Sequence, residues 1–528
     1  MTNGAGETGP VRLAEIVAAL SLGVDLGFGQ PMEHVLRQCL VAQRLAELVE
    51  VDESTRAVVY YTALLVGVGC HTDAHEQAKW FGDDIAMKST KYGDDWGTLR
   101  GAVSMFAQIG AGSPPLHRFR VGVEFLVSGR RDVDEMIENH TKLARALAEQ
   151  LGLPRAVVDS VGSAYEQWDG RGWPRGIAGP AIPVAARIAG MAEFMEVTHR
   201  VGGVAKALAF AGARNGSQFE PRLVSALRRD PERVFGGLES VVAWKAVIDA
   251  EPALRVVLSE KALDEALLAV ANFVDLKSPH WLGHARAVSE LAGAAAAGLG
   301  MSEGDVRALR RAGLLHGLGR MGISNSIWDK PGPLGTGEWE RVRMQPYFSE
   351  RMLEQSTALA PLGAIVVQHR ERLDGSGYPR RLSGAAISRP GRVLAVADAY
   401  QSMREARAHR PPHAAEAAAR LLRADVRAGK LDGDAVEAVL RAAGHRLCKR
   451  RAGPAGLTQR EVEVLRLVAR GLTTRQIASE LGVSPKTAGN HIEHIYAKTG
   501  AVNRVTASHF ALQNGLLPEE QLEPEREK

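Results

Sequence analysis

Apolar residues recur at intervals of three and four along most of the chain, for example at Val306, Leu309, Ala312 and Leu315. This spacing places the apolar side chains on one face of an α-helix, where they can pack into a core. Alternating runs of β-branched residues, which would predict strands, are scarce. The pattern therefore predicts an all-α protein.

Two segments of the chain repeat each other. Residues 166–175 read EQWDGRGWPR and residues 371–380 read ERLDGSGYPR, at an offset of 205 that also pairs Glu193 with Asp398. Upstream, a second constant offset of 250 pairs His34 with His284. Agreement at both offsets, in the same order, predicts two tandem copies of one helical module. The first copy has 45 additional residues, which fall around 71–115.

Gly, Pro and charge mark the boundaries of the predicted domains. The first copy is expected over 1–245 and the second over 246–444. A basic linker at 445–456 leads to a small four-helix domain at 457–517, and an acidic tail occupies 518–528.

Positive charge is concentrated near the C-terminus. The whole chain of 528 residues carries a net charge of +4, yet residues 446–517 alone hold eleven Lys and Arg against four Asp and Glu. A local excess of this kind is typical of a domain that binds a polyanion. Lys449, Arg450 and Arg451 of the linker are expected to add phosphate contacts.

Residues 457–517 contain a regular series of helix start and stop signals. Thr458 with Glu461 and Thr473 with Gln476 have the form of capping boxes, and Ser484 precedes a proline. Helices are predicted over 474–481 and 485–499, joined by a tight turn, with a fourth over about 503–514. This is a helix-turn-helix arrangement. The predicted small core comprises Val462, Leu465, Ile477, Ala478, Leu481, Val483, Ile492 and Ile495.

The string LTQREVEVLRLVARGLTTRQIASELGVSPKTAGNHIEHIYAKTGAVNRVTA resembles the LuxR-type helix-turn-helix family. The resemblance implies that the third helix enters the major groove of double-stranded DNA and that the fourth often serves dimer contacts. The implied groove-facing residues are Lys486, Gly489, Asn490 and Glu493. The implied backbone contacts are Thr474, Arg475, Thr487, His491, His494 and Lys498. Family members often have basic residues where this chain has Gly489 and Glu493, which changes the expected target sequence.

The second copy contains histidines and a carboxylate that could bind one divalent metal ion and activate water. These residues are His284, His316, His369 and Asp398. His280 stands four residues before His284 and is an alternative ligand on the same helix face, although we expect it to be a packed or surface residue.

The strings LLHGLGRMGISNSIWDKPGPL, QHRERLDGSGYP and VLAVADAY resemble the HD-GYP family of the HD phosphohydrolase superfamily over about 270–405. The resemblance implies an all-helical fold, two or three bound metals, and hydrolysis of cyclic di-GMP or related phosphodiesters. This chain departs from the family pattern at four positions. Gly317 replaces the bridging Asp, Arg320 a Lys, and Gln345 and Arg370 two His.

These departures remove a bridging carboxylate and two imidazoles and add a guanidinium that repels a dication. We expect Arg370 to take the place of a metal charge, paired with Asp398 or with a ligand phosphate. No catalytic residue and no cofactor are therefore expected, and the alternative is one divalent metal, Mn, Fe or Mg. The first copy has Val66 and Ala164 at ligand positions and is expected to be structural.

These features predict a cytoplasmic transcriptional regulator that forms a homodimer, binds DNA and senses a nucleotide or protein signal. The chain has three cysteines, Cys39, Cys70 and Cys448, which predict no disulfide framework. It contains no run of 18 apolar residues that would predict a membrane span. Two alternatives remain open. One is a metal-dependent phosphodiesterase fused to a DNA-binding domain, and the other is an interaction scaffold that binds neither DNA nor nucleotide.

Overall fold

The computed structural model describes residues 10–92, 109, 115–445 and 454–516. Within these residues the regular structure is helical, and extended backbone pairs only in isolated bridges. The all-α prediction is confirmed. Lys449, Arg450, Arg451 and the acidic tail lie outside the described residues. No helix in the described ranges is both long enough and apolar enough to cross a membrane.

The helices are numbered here in chain order. The first predicted copy contains α1 Leu13–Gly27, α2 His34–Leu48, α3 Glu53–Leu65, α4 Ala74–Phe81, α5 Asp84–Ser89, α6 Pro115–Gln150, α7 Arg155–Val161, α8 Val184–Ala213, α9 Pro221–Arg229, α10 Pro231–Phe235 and α11 Ala243–Asp249. The second contains α12 Glu260–Asp275, α13 His284–Gly298, α14 Glu303–Leu315, α15 Asn325–Trp328, α16 Thr336–Arg343, α17 Gln345–Leu353, α18 Ala360–Val366, α19 Arg389–Arg404, α20 Ala415–Arg427 and α21 Gly433–Ala442. The C-terminal helices are α22 Gln459–Ala469, α23 Thr474–Glu480, α24 Pro485–Thr499 and α25 Arg504–Gln513. Short 3-10 turns occur at Val68–His71, Thr90–Tyr92, Gly179–Ala181, Pro279–Trp281, Leu318–Gly322, Gly384–Ala386 and Pro454–Gly456.

The chain forms two compact units, Met1–His445 and Arg446–Lys528. In the larger unit, buried residues of both predicted copies belong to one hydrophobic core. Backbone bonds also join the copies, because the N–H of Leu13 donates to the carbonyl of Val256 at 2.9 Å. The two copies are therefore packed as one body, and the predicted division near 245 stays a prediction.

Hydrogen bonds in the larger unit recur at the offsets found in the sequence. At an offset of 250, Asp25 accepts from the N–H of Val35, and Asp275 accepts from the N–H of Ala285, each at 2.9 Å.

The Gly-rich loops repeat their bonding at an offset of 205. Glu166 accepts from the N–H groups of Arg175 and Ile177, and Glu371 accepts from those of Arg380 and Leu382. A Cβ at Gly172 or Gly377 would overlap the backbone of residues 166–167 or 371–372, so each loop requires glycine there.

The additional residues of the first copy contact both modules. They form α4, α5 and the turn Thr90–Tyr92 in their described part. Asp84 reaches the second copy, where it accepts from the hydroxyl of Ser324 at 2.7 Å and from the N–H of Asn325 at 2.8 Å. Lys91 turns back into the first copy, with Nζ 2.6 Å from Oε1 of Glu193. Neither contact was predicted.

The smaller unit follows the predicted start and stop signals. Both capping boxes form, Ser484 caps α24, and Gly500 ends it in the left-handed region at φ 71°. The eight predicted core residues lie in or against its hydrophobic cluster. Helix α23 ends one residue before the predicted boundary, which is within the normal fraying of a helix end.

Candidate functional site

The four predicted ligands of the second copy meet in one buried pocket. His284 begins α13, His316 follows α14, His369 lies beyond α18, and Asp398 lies within α19. All four side chains are inaccessible to solvent. The ring centroid of His316 lies 5.3 Å from that of His284 and 5.2 Å from that of His369. The helices therefore assemble the set that the sequence predicted.

Each imidazole is oriented by a hydrogen bond at Nδ1. His316 donates to the carbonyl of Gly313 and His369 to that of Val366, both at 2.7 Å. Nδ1 of His284 lies 2.7 Å from Oε2 of Glu405. Hydrogen bonds of this kind orient metal-binding histidines and leave Nε2 directed into the site.

The Nε2 atoms of His284 and His316 lie 3.2 Å and 3.7 Å from Oδ1 of Asp398. Ligand atoms of these three residues all lie within 4.8 Å of one another. Burial lowers the pKa of His316 well below its usual value and that of His369 to about 3, so both rings are neutral. Neutral imidazole is the form that coordinates a metal, and this donor set is sufficient for one ion.

Two guanidinium groups already engage these donors. Nη1 of Arg370 lies 3.2 Å from Oδ2 of Asp398, which is one of the two pairings expected from the sequence. Nη2 of Arg320 donates to Nε2 of His316 at 3.1 Å, and its Nη1 pairs with Asp275 at 3.1 Å. Burial would raise the pKa of Asp398, but the charge of Arg370 holds it well below its usual range. Internal cations therefore bind the carboxylate and one imidazole lone pair.

The replaced positions do not fit the family's bridged metal pair. A Cβ at Gly317 would lie 2.9 Å from Nη1 of Arg320, so an aspartate there would require that guanidinium to shift. Gln345 donates to the carbonyl of His316 at 2.6 Å, and its Oε1 lies 3.3 Å from Nε2 of His369. Its amide nitrogen therefore donates to the protein backbone. These residues therefore do not support a reaction that depends on a bridged metal pair.

His280 does not join the pocket. It lies in the 3-10 turn Pro279–Trp281, and Gly283, at φ 76° in the left-handed region, separates that turn from α13. The alternative that His280 and His284 share a helix face is therefore wrong, because the backbone changes direction between them.

The equivalent positions of the first copy hold different side chains. Val66 and Ala164 are buried apolar residues. His34 pairs through Nδ1 with Glu196, and Glu193 pairs with Lys91. Asp25 could have been found from the sequence, because it matches Asp275 at the offset of 250. Lys91 has no counterpart in the second copy, so neither repeat offset indicated its role.

The ten predicted DNA contacts lie on α23 and α24. Exposed side chains are Arg475, Lys486, Thr487, Asn490, Glu493, His494 and Lys498, and half-buried residues are Thr474, Gly489 and His491. No atom beyond the helix lies within 4 Å of a Cβ built at Gly489. Nζ of Lys498 pairs with Glu461 at 2.7 Å, so part of its charge is neutralised within the domain. The helices leave polar groups available for a partner, and their contacts with DNA stay a prediction.

Comparison with known families matches both parts of the chain. The HD domain family matches residues 130–222 and 269–435, and the bacterial regulatory proteins of the luxR family match residues 455–511. The crystal structure of a cyclic GMP-AMP specific phosphodiesterase from V. cholerae aligns with a TM-score of 0.59 at 26% identity, over 83% of this chain and 99% of that one.

Individual relatives are phosphodiesterases by name. The 3'3'-cGAMP-specific phosphodiesterase 3 of Vibrio cholerae is 30% identical over 403 residues, which cover 75% of this chain and 87% of that protein. A cyclic di-GMP phosphodiesterase of Thermotoga maritima is 37% identical over 180 residues, 34% of this chain and 48% of the relative. Both resemblances predicted from the sequence are confirmed.

Proposed function

Because this chain belongs to the HD-GYP family of HD-domain proteins and carries a luxR-type helix-turn-helix domain, we propose that it is a sequence-specific transcriptional regulator. In this proposal the luxR-type domain binds double-stranded DNA through α24. The HD-GYP region receives a nucleotide or protein signal, or joins two subunits, and catalyses no reaction.

The observation that carries this proposal is the contrast between the two parts of the chain. The helix-turn-helix domain keeps its caps, its apolar core and an exposed polar helix. The pocket of the second copy instead has Gly317 at the bridging position, with guanidinium groups on Asp398 and His316. The C-terminal domain thus keeps the helix pattern expected for DNA binding, whereas the second copy departs from its family at positions expected to bind metal.

Electrophoretic mobility shift of genomic fragments by the full chain tests the proposal. We expect specific retardation that weakens as salt is raised, because phosphate contacts release counterions from DNA. A chain lacking residues 456–517 is the matched control and should retard no fragment. Absence of any specific or salt-sensitive shift by the full chain would contradict the proposal.

A homodimer is part of the proposal, because two helix-turn-helix domains can read two half-sites at a fixed spacing. A signal bound by the HD-GYP region would then act by favouring one arrangement of the two domains. Light scattering of the purified chain should give twice the mass of one chain.

A metal-dependent phosphohydrolase fused to a DNA-binding domain is the second candidate function. It is favoured by the three donors within 4.8 Å of one another and by the phosphodiesterase relatives. One divalent ion, Mn, Fe or Mg, would be its cofactor. Elemental analysis of the purified chain, followed by an assay on cyclic di-GMP and 3'3'-cGAMP, distinguishes the two candidates.

A further inference from the structure

The first copy encloses a small space at the position that corresponds to the pocket of the second. Asp25, His34, Val66, Tyr92 and Glu193 are among its lining residues. Only about 10 Å³ of this space is free, which is room for at most one water molecule. The pocket is therefore nearly filled by the protein's own side chains.

Lys91 contacts two of the residues that line this space, Glu193 and Phe28. Its Nζ lies 2.6 Å from Oε1 of Glu193, and the hydroxyl of Tyr92 donates to the same oxygen at 3.1 Å. Four aromatic ring centroids surround Nζ, those of Tyr165 at 5.1 Å, Phe28 at 5.6 Å, Phe194 at 5.7 Å and Tyr92 at 5.8 Å. A carboxylate and aromatic faces are the groups that recognise an organic ammonium ion.

The equivalent positions of the two copies show what Lys91 replaces. Glu193 corresponds to Asp398, and Tyr165 corresponds to Arg370. In the second copy the buried carboxylate is paired with a guanidinium from its own Gly-rich loop. In the first copy that loop supplies an aromatic ring, and the cation comes from the additional segment instead.

The acidic side chains that line the space favour a bound cation over a bound anion. Asp25 and Glu193 both line it, and Oδ2 of Asp25 is buried without a hydrogen-bond partner in the described part of the chain. Burial raises the pKa of Asp25 to about 7, as expected for a carboxyl group that no cation fully compensates. An anionic ligand would have to approach these carboxylates in a poorly solvated site, at a high electrostatic cost.

We propose that the first copy contains a binding site for a primary alkylammonium ion and that the Lys91 side chain is its tethered ligand. The ammonium donates to Glu193, and the aliphatic stem packs among the aromatic rings. A divalent metal is disfavoured because Val66 and Ala164 supply no donor where the second copy has His316 and His369. The inference is independent of DNA binding, since every group involved lies in the larger unit.

Replacement of Lys91 by alanine, with return of the missing fragment as a free molecule, tests the proposal. Lys91→Ala removes three carbons and the ammonium, which together correspond to n-propylammonium. We expect the unfolding temperature of the full chain to fall by several degrees, because Glu193 loses its countercharge. Millimolar n-propylammonium chloride should restore most of this loss saturably, with a much smaller effect on the wild type.

The matched solutes are n-propanol, which lacks the charge, and KCl and MnCl₂, which lack the alkyl chain. None of these should restore the unfolding temperature of Lys91→Ala. Recovery with MnCl₂ alone would show a metal site and overturn the alkylammonium assignment. An unfolding temperature equal to that of the wild type, without any response to n-propylammonium, would also overturn it.

Two further variants keep the test decisive if Lys91→Ala fails to fold. Lys91→Met fills the aromatic surroundings without a charge and should remain less stable than the wild type. Lys91→Met with Glu193→Gln removes the unpaired carboxylate and should recover part of the loss. If both variants have the same stability, Lys91 does not act as the cation for Glu193, and the proposal is wrong.

Discussion

Nη1 of Arg370 lies 3.2 Å from Oδ2 of Asp398, so the buried carboxylate of the second copy has a countercharge from its own chain. Nearby, Arg320 is 1% exposed, and its guanidinium donates to Nε2 of His316. The centroid of the Trp281 ring lies 3.8 Å from Cζ of Arg320 and holds that guanidinium in place. Guanidinium groups thus pair with two of the side chains that could hold a metal, which also predicts how the protein responds to their removal.

Arg370→Met should destabilise the larger unit. Asp398 is fully buried, and the loss of its paired guanidinium leaves an uncompensated carboxylate, at a cost of about 3 kcal/mol. Denaturant unfolding of the full chain measures this loss. Adding Asp398→Asn to Arg370→Met should recover part of it, and equal stability of Arg370→Met and wild type would show that the pair carries no such role.

Asp25→Asn should gain stability relative to wild type as the pH rises from about 4 to about 7. Burial raises the pKa of Asp25 from 3.8 to about 7, so across this window the folded chain keeps a proton that the unfolded chain has released. The stability contributed by Asp25 therefore falls as the pH rises, by about 1.4 kcal/mol per pH unit at most. Asparagine does not titrate. The test is the wild-type and variant difference in unfolding free energy at pH 5, 6, 7 and 8, and a constant difference would refute this assignment.

Asp84→Asn should weaken the contact between the two copies. Asp84 lies 3.3 Å from Nζ of Lys88 and 3.6 Å from Nζ of Lys277, and all three side chains are buried. Its neutralisation removes the carboxylate that pairs with both buried ammonium groups, which costs about 3 kcal/mol. Amide hydrogen exchange of α5 and α15 should increase with the loss of stability. Lys277→Met in the same chain should reduce the defect, and protection equal to wild type in Asp84→Asn would contradict the expected role.

Arg475→Ala and Asn490→Ala should affect DNA binding in different ways. Loss of an arginine that contacts phosphate weakens binding to all sequences and lowers the slope of log affinity against log salt by about 1. Loss of an asparagine that reads adenine reduces discrimination at one base pair by about 1 to 3 kcal/mol. Fluorescence anisotropy with matched and single-substituted duplexes measures both. Both side chains are exposed, so unchanged thermal unfolding of each variant serves as the control.

The sequence predicted the features that depend on local chemistry or on repetition. The caps at Thr458, Thr473 and Ser484 follow from residue type and spacing, and all three form. The constant offsets matched equivalent residues of the two copies, and the charge of Arg370 indicated pairing with Asp398 or with a ligand phosphate, of which the structure shows the first. These inferences needed no knowledge of how distant segments pack.

The contacts of Asp84 and Lys91 could not be predicted, because they belong to a segment present in only one copy. Their partners, Ser324 and Glu193, lie 240 and 102 residues further along the chain. Such pairs depend on tertiary packing, for which neither periodicity nor a repeat offset gives a signal. The turn that separates His280 from α13 was missed for a similar reason, since spacing alone assumed a continuous helix.

The central claim is that internal cations occupy the place of catalytic metals in the second copy. The most direct test is hydrolysis of cyclic di-GMP and 3'3'-cGAMP by the purified full chain, with Mn²⁺ or Fe²⁺ added and an active phosphodiesterase as positive control. We predict turnover no greater than that of the His316→Ala variant. Metal-dependent turnover by the wild type that disappears in His316→Ala would contradict the claim.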